Sequence, residues 1–211
     1  MPSSKLLRNS LIGLTRLAAR DIDTLLRRMN DPQRAEEPLR DVLPALVDVY
    51  GAAAGTLAAD WYDDTRDEKS VRRRFRAMPA RIDDTGTQAL VGWALSTATD
   101  MPAFESLILG GTERRILDHS RLTIMESSLA DPSARGWQRE TAGGCAFCEL
   151  LASRGTVYSE ESADFASHDN CRCTAIPSFE GEARPVQPYE PSLRDSTEAD
   201  RARVREYIRT Q

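Results

Sequence analysis

Apolar residues recur at steps of three and four along the first thirty positions, which is the period of an amphipathic helix. This stripe consists of Leu7, Leu11, Leu14, Ala18, Ile22, Leu25 and Met29. Charged residues lie between the apolar ones, and the dipeptide Asp31-Pro32 ends the segment. The pattern therefore predicts a long first helix.

A second helical stripe runs from about residue 37 to residue 62. Its apolar positions are Leu39, Leu43, Leu46, Val47, Tyr50, Ala53, Ala54, Leu57 and Trp61. Pro38 suits the first turn of a helix, whereas Pro44 predicts a kink or a later start. Two long helices with a short break between them predict an antiparallel hairpin.

The remainder of the N-terminal half is also predicted to be helical. Between residues 60 and 81 acidic residues come first and basic residues follow, which matches the dipole of a short helix near 67–77. Asp83 or Asp84 is a candidate cap for a helix that carries Leu90, Val91, Trp93, Ala94 and Leu95. A further helical region follows Pro102, with an interruption predicted at Gly110-Gly111, and Asp131-Pro132 closes it.

The pattern changes after residue 135. Residues 137–141, 156–158 and 174–176 predict short strands, and residues 146–154 predict a helical turn stopped by Gly155. The proline-rich stretch 180–191 predicts a linker before a terminal helix at 196–209. The predicted fold is mainly α: a helical hairpin or bundle over 1–131, a small Cys/His-rich α+β module over 136–179, and a flexible tail over 180–211.

Composition narrows the functional classes only slightly. The chain has 211 residues and a net charge of −5, so no general attraction to nucleic acid or membrane is expected. No uninterrupted apolar run approaches the ~20 residues of a membrane span, and arginines at 8, 16 and 20 argue against a signal peptide. We therefore expect folding in a cytosol, where thiols stay reduced and where no membrane partner is implied.

All four cysteines and one of the two histidines lie between residues 143 and 177. They form the pattern C-x2-C, nineteen residues, then H-x2-C-x-C, with the candidate ligands Cys145, Cys148, His168, Cys171 and Cys173. Zinc takes four thiolate or imidazole ligands in a tetrahedron. The pattern predicts a structural zinc site that includes Cys145, Cys148 and Cys171, with His168 and Cys173 competing for the fourth position.

Other interpretations of the cysteines stay open at this stage. The first alternative is that the cysteines are small core residues. The second is that they form two disulfides, if the protein leaves a reducing compartment. The third is a redox pair, although no thioredoxin-like context precedes the C-x2-C. A Cys–His nucleophile from Cys171 or Cys173 with His168 is conceivable, but neighbouring thiols favour a shared metal.

The other histidine, His119, has Asp118 and Ser120 beside it in a predicted helix. Adjacent helical residues point about 100° apart, so these three do not form a catalytic triad among themselves. The sequence therefore predicts no catalytic residue, while protease activity through remote partners stays an alternative.

The run of arginines at 72–76 has both a structural and a functional interpretation. Arg72, Arg73, Arg74 and Arg76 surround Phe75 and predict either a solvated helix face balanced by nearby acids or a contact with DNA backbone or an acidic protein. Nothing in the run predicts base-specific recognition.

The tryptophans are predicted in the core, at positions 61, 93 and 137.

The cysteine segment resembles the Mu-F-like minor head proteins of tailed bacteriophages, and the string HDNCRC is the specific part of the match. The matching residues are Cys145, Cys148, Gly155, Val157, Tyr158, His168, Asp169, Asn170, Cys171, Arg172, Cys173 and Pro177. The match covers roughly 40 residues, and the preceding helical half agrees in texture. The family often carries a proline pair before its histidine, whereas this chain has Phe165, Ala166 and Ser167 there.

The resemblance implies a structural minor capsid protein inside the phage head at the portal vertex. Its partners would be the portal protein, the major capsid or scaffold proteins and the backbone of packaged DNA. It would reside in the virion, and in the host cytoplasm during assembly. Similar actinophage proteins are often labelled capsid maturation proteases, so a prohead protease is the first alternative. A zinc-bearing nucleic-acid-binding protein is the second.

Overall fold

The computed structural model describes residues 3–82, 86–143, 145–153, 155 and 165–180, together with positions 198, 199, 202 and 206 of the tail. The elements are α1 (Ser4–Leu26), α2 (Pro32–Glu68), α3 (Gly86–Thr97), α4 (Met101–Ala130), β1 (Gly136–Glu140), α5 (Ala146–Ala152) and β2 (Thr174–Ser178). The fold is mainly helical, as the sequence predicted. Asp83, Asp84, the candidate strand 156–158, the linker at 181–191 and most of the terminal helix lie outside the described residues.

The first two helices form the predicted antiparallel hairpin. Leu7, near the start of α1, shares a core cluster with Ala58 of α2, whereas Ile22, near the end of α1, shares a second cluster with Leu39. The side chain of Asp31 accepts a hydrogen bond from the Gln33 amide and caps α2, which begins five residues earlier than predicted. The helix is continuous through Pro44 and ends at Glu68.

The second helix is the central element of the bundle. It packs against α1, α3 and α4. By length and composition alone it would be apolar enough to cross a membrane, because one 18-residue window has a mean hydropathy of 1.5; 44% of this window is buried inside the protein. The buried part of the apolar surface of α2 is the common packing face for three other helices.

The fourth helix runs without a break through Gly110 and Gly111, so the predicted interruption there was wrong. A Cβ atom on Gly111 would lie 2.4 Å from Cδ1 of Leu90 in α3. One on Gly110 would lie 3.1 Å from the side-chain nitrogen of Asn170 in the cysteine loop. The two glycines are there because α3 and the loop approach the α4 backbone closely, a requirement that local sequence does not reveal.

The short helix predicted near 67–77 was also wrong. After α2 ends, the chain from Val71 to Ile82 is neither helix nor strand. Its backbone donors find partners on neighbouring helices: the Ala77 amide donates to Asp63 at 3.0 Å, and the Ala80 amide donates to Thr123 at 3.0 Å. These side-chain acceptors replace the bonds that a helix would have made within itself.

One of the three tryptophans departs from the expected burial. Trp61 and Trp137 are buried, whereas Trp93 is 45% exposed because it points away from the buried face of α3, which is formed by Leu90, Val91 and Ala94. The prediction that all three belong to the core was therefore wrong for Trp93.

The two strands pair antiparallel with a register from Gly136↔Ser178 to Glu140↔Thr174, confirming the strands predicted at these places. Both strands contact α4, and Trp137 and Ala175 belong to the same core cluster as Ile116 and Ile124. The predicted helical turn is α5, and Gly155 beyond it has φ of +69°. The hairpin thus holds the cysteine segments against the helical body.

Candidate metal centre

The β1–β2 pairing brings the two cysteine segments together. Cys145 lies at the N-cap of α5 after β1, and Cys148 lies in the first turn of α5. Cys171 and Cys173 lie immediately before β2, where Glu140 pairs with Thr174. Because paired antiparallel strands bring the residues beyond β1 next to those before β2, the two halves of the motif meet at this end of the hairpin.

All five predicted ligands are brought together at this end. The His168 Nε2 atom lies 3.3 Å from the sulfur of Cys145 and 3.4 Å from that of Cys148. The sulfurs of Cys148 and Cys171 are 3.8 Å apart, and Cys148, Cys171 and Cys173 form a second group with all sulfurs within 4.8 Å of one another. Cys148 belongs to both groups and is fully buried.

The four thiols are free, and their spacing differs from that of a disulfide. A bonded pair of sulfurs would lie about 2.05 Å apart. A tetrahedral zinc site with Zn–S of about 2.3 Å and Zn–N of about 2.0–2.1 Å has S···S edges near 3.8 Å and S···N edges near 3.5 Å. The observed separations of 3.8, 3.3 and 3.4 Å match those edges, so the cluster fits a metal ion.

The imidazole of His168 is oriented by the loop that carries it. Its Nδ1 atom lies 2.8 Å from the carbonyl oxygen of Asp169, and this hydrogen bond is the main cause of a raised pKa for His168. Because Nδ1 is the donor, Nε2 of the neutral ring presents a lone pair to the thiols. Asn170 adopts a left-handed conformation with φ of 61°, and the Cys171 amide donates to the His168 carbonyl at 3.0 Å, which closes a tight turn.

The local environments separate the thiol pKa values. The backbone amide of Cys148 lowers the pKa of Cys145. Burial is the main cause that raises the pKa of Cys148 to about 11. A hydrogen bond from Cys171 is the main cause that lowers the pKa of Cys173 to about 4, and the same bond raises the pKa of Cys171. These shifts favour the thiolates of Cys145 and Cys173, whereas Cys148 and Cys171 would have to release their protons to bind a metal, because metal ions are held by thiolates.

Arg139 is a site residue that the sequence interpretation missed. Its guanidinium lies 3.6 Å from the sulfur of Cys148 and 3.9 Å from that of Cys171, and the residue is only 4% exposed. A buried cation beside thiolates offsets part of their negative charge. Strand alternation could have indicated that Arg139 is buried, because Arg139 lies two residues after the buried Trp137 and thus on the same face of β1.

A second buried arginine anchors the loop to the helical body. Arg121 of α4 donates to the carbonyl oxygen of Cys173 at 3.1 Å and to that of Cys171, and it pairs with Asp118 at 2.6 Å. The ring of Phe165 lies 4.8 Å from this guanidinium and 3.8 Å from that of Arg139. Two cation–π contacts therefore hold the loop at residues 165–167, the position at which the resembled family often has a proline pair.

The other histidine lies apart from this cluster. His119 is 6% exposed, and its ring is so close to Gly51 of α2 that a Cβ atom there would lie 2.5 Å from it. The neighbouring Asp118 instead accepts from Ser167 at 2.8 Å on the side of the cysteine loop. These two side chains point in different directions, as the helical geometry predicted.

Comparisons with known proteins give one match. A family model described as VG15 protein matches residues 3–197. No curated protein and no solved structure matches the chain. The matched range includes the helical body, the β hairpin and every candidate ligand. The family is a viral gene-product family, so the chain is a phage-encoded protein. Because the match covers far more than half of the chain, this protein belongs to the VG15 protein family.

Proposed function

We propose that this phage protein is a structural minor head protein of the Mu-F-like kind. The observation that carries the proposal is the convergence of His168 and the cysteines at one end of the β hairpin, where three of their separations (3.3, 3.4 and 3.8 Å) match the edges of a zinc tetrahedron. The residues of the HDNCRC string therefore take part in one compact cluster, which is expected if this string marks the Mu-F-like module. A virion or host-cytoplasm location agrees with a phage protein.

The centre would hold one structural zinc ion through Cys145, Cys148, His168 and Cys171. Cys148 links the pair on α5 to the sulfur of Cys171, and His168 contacts both cysteines of the C-x2-C. Cys173 would lie beside the metal, where its sulfur is 3.8 Å from the hydroxyl oxygen of Thr141. We choose His168 over Cys173 as the fourth ligand because His168 contacts both cysteines of the C-x2-C, although Cys173 lies with Cys148 and Cys171 in the second group.

The role of the metal would be to hold the module together. The module has a two-stranded sheet and one helix of seven residues, which provide little core of their own. Four protein ligands would close the coordination sphere, and a closed sphere is typical of structural zinc. The ion would tie α5 and the loop at 165–173 to the hairpin, and the hairpin to α4.

The partners in this role would be the portal protein and the major capsid or scaffold proteins, with the protein inside the capsid at the portal vertex. Mass spectrometry of purified virions should detect the chain in few copies, and it should co-purify with the portal protein. A phage that lacks the gene should form defective heads. Virions without the chain, or normal heads without the gene, would refute the head role.

Metal content tests the centre independently of the virion. Purified protein should contain about one zinc per chain, and a chelator should lower its thermal stability. The His119→Ala variant separates this role from that of a capsid maturation protease. Because His119 is buried, the variant is first shown to be folded by circular dichroism. Head assembly and capsid processing should then be unchanged, whereas unprocessed capsid chains from a folded variant would favour the protease.

A further inference from the structure

A run of four exposed arginines follows α2. Arg72, Arg73, Arg74 and Arg76 are all exposed, and they lie in the stretch that is neither helix nor strand. Phe75, within the run, is half-buried and packs on Tyr62 with ring centroids 6.0 Å apart. The aromatic ring therefore anchors the run to α2, while the guanidinium groups face solvent.

The backbone of this run is fixed by hydrogen bonds to α2. The Val71 amide donates to the Arg66 carbonyl at 3.0 Å, the Arg66 guanidinium donates to the Arg73 carbonyl, and the Ala77 amide donates to Asp63. Ala77 is buried. The arginines are thus presented from a held backbone, which reduces the ordering cost of binding.

Two acidic residues of α2, Asp63 and Asp67, line the same surface concavity as the run but form no ion pair with it. Some exposed arginines elsewhere do pair with carboxylates, as Arg27 does with Asp23 and Arg172 with Glu113. Among the described residues, no carboxylate forms an ion pair with any arginine of the run. The carboxylate of Asp63 accepts from the Ala77 backbone, and so it is occupied by the segment itself.

We propose that these four arginines bind the phosphate backbone of double-stranded nucleic acid without sequence preference. Guanidinium groups match phosphate geometry, and DNA presents one charge per ~1.7 Å of its axis, so a row of cations finds partners at any position. Phe75 packs inward on Tyr62, so the exposed part of the run offers only cations, which suit a contact with the phosphates rather than stacking on bases. The net charge of −5 opposes a general attraction of the chain to nucleic acid, so binding requires a local concentration of cations such as this run.

The full chain should bind a mixed-sequence 30-base-pair DNA duplex at 50 mM salt, measured by fluorescence anisotropy. The variant R72Q/R73Q/R74Q/R76Q should bind at least tenfold more weakly. Its slope of log K against log salt should be smaller by about 0.9 for each phosphate that the variant no longer neutralises. The control R16Q/R20Q/R28Q/R34Q removes the same charge from four other exposed arginines and should bind nearly as the wild type does.

Equal loss of affinity in both quadruple variants would overturn the proposal, because net charge alone would then explain binding. Absence of binding by the wild type at 50 mM salt would also overturn it. Unchanged DNA affinity together with weaker binding to purified portal protein would assign the run to an acidic protein surface instead. Metal content and head formation are measured separately, so this test does not depend on the proposed head role.

Discussion

The hydroxyl of Tyr62 lies 3.2 Å from the carboxylate of Asp131, and this contact joins α2 to the residue that ends α4. The same carboxylate oxygen lies 3.0 Å from Nε of Arg66, and both partners of this ion pair are almost completely buried. Arg66 in turn contacts the arginine run and Phe75. Tyr62, Arg66 and Asp131 therefore link α2 and α4 to the segments that follow each of these two helices.

Replacement of Asp131 by Asn should be strongly destabilising. The change leaves the Arg66 guanidinium buried without its counter-charge, for which a loss of about 3–5 kcal/mol in the free energy of unfolding is expected. Urea denaturation measures this loss in the free energy of unfolding. Asp64→Asn, at an exposed position of the same helix, is the control and should stay within about 0.5 kcal/mol of the wild type. Equal stability of the two variants would contradict a structural role for the pair.

The free energy of unfolding should fall at alkaline pH because of Tyr62. Burial is the main cause that raises the pKa of Tyr62 above its ordinary value near 10, and the Asp131 charge adds to it. The raised pKa contributes stability that is fully present below pH 10 and is lost as the pH rises further, because only the unfolded state releases this proton.

The loss from Tyr62 should approach about 1.4 kcal/mol per pH unit. The free energy of unfolding of the wild type should therefore fall more steeply between pH 10 and pH 11 than that of Tyr62→Phe. Other titrating groups are common to both proteins and cancel in the difference. Parallel pH profiles would show that Tyr62 does not carry this dependence.

Substitution of Gly51 by Ala should test the contact between α2 and His119. The new methyl group would lie 2.5 Å from the buried imidazole, and overpacking of this kind costs about 1–3 kcal/mol. Gly13→Ala is the matched control, because no atom lies within 4 Å of its added Cβ. That control should gain about 0.5–1 kcal/mol from helix propensity.

The double variant Gly51→Ala with His119→Ala should recover part of the loss, because the smaller side chain at 119 makes room for the methyl group. Thermal unfolding of the four proteins measures these differences. A Gly51→Ala variant as stable as the Gly13→Ala variant would show that His119 moves aside without cost.

Serine substitutions should identify the zinc ligands. Cys145→Ser, Cys148→Ser and Cys171→Ser should each lower metal content well below one zinc per chain, because each removes a thiolate from the proposed set. Cys173→Ser should retain close to one zinc. Metal analysis after gel filtration is the measurement. Loss of zinc on replacing Cys173, with retention on replacing His168 by Ala, would assign the fourth position to Cys173.

Replacement of Arg139 by Met should weaken the module while leaving its ligands in place. The variant removes the donors that face the sulfurs of Cys148 and Cys171, as well as the cation over the Phe165 ring. Hydrogen bonds to charged groups contribute about 1.5–3 kcal/mol, so a decrease of this size in unfolding free energy is expected. Zinc should also pass to a chelator faster. Arg139→Lys keeps the charge and should be intermediate; a Met variant as stable as the wild type would contradict the role.

Much of the helical body could be predicted because each long helix buries one stripe, and a stripe is visible as a period of 3.6. The candidate ligands, and the fact that they cluster, could be predicted because their chemical types and spacing are local properties. Arg139 was missed, since a charged residue in a short strand usually faces solvent; its burial depends on thiols and an aromatic ring that come later in the chain.

By itself, the sequence determined the mainly helical architecture, the two strands beside the cysteines and the set of five candidate ligands. Only the tertiary structure decided that α4 continues through its two glycines, that residues 71–82 are held without helix, and that Cys148 joins both groups of ligands. The physical reason is the range of the interactions. Periodicity and capping act within a few residues, whereas the approach of Leu90 to Gly111, or of Thr123 to Ala80, is settled by how separate elements pack.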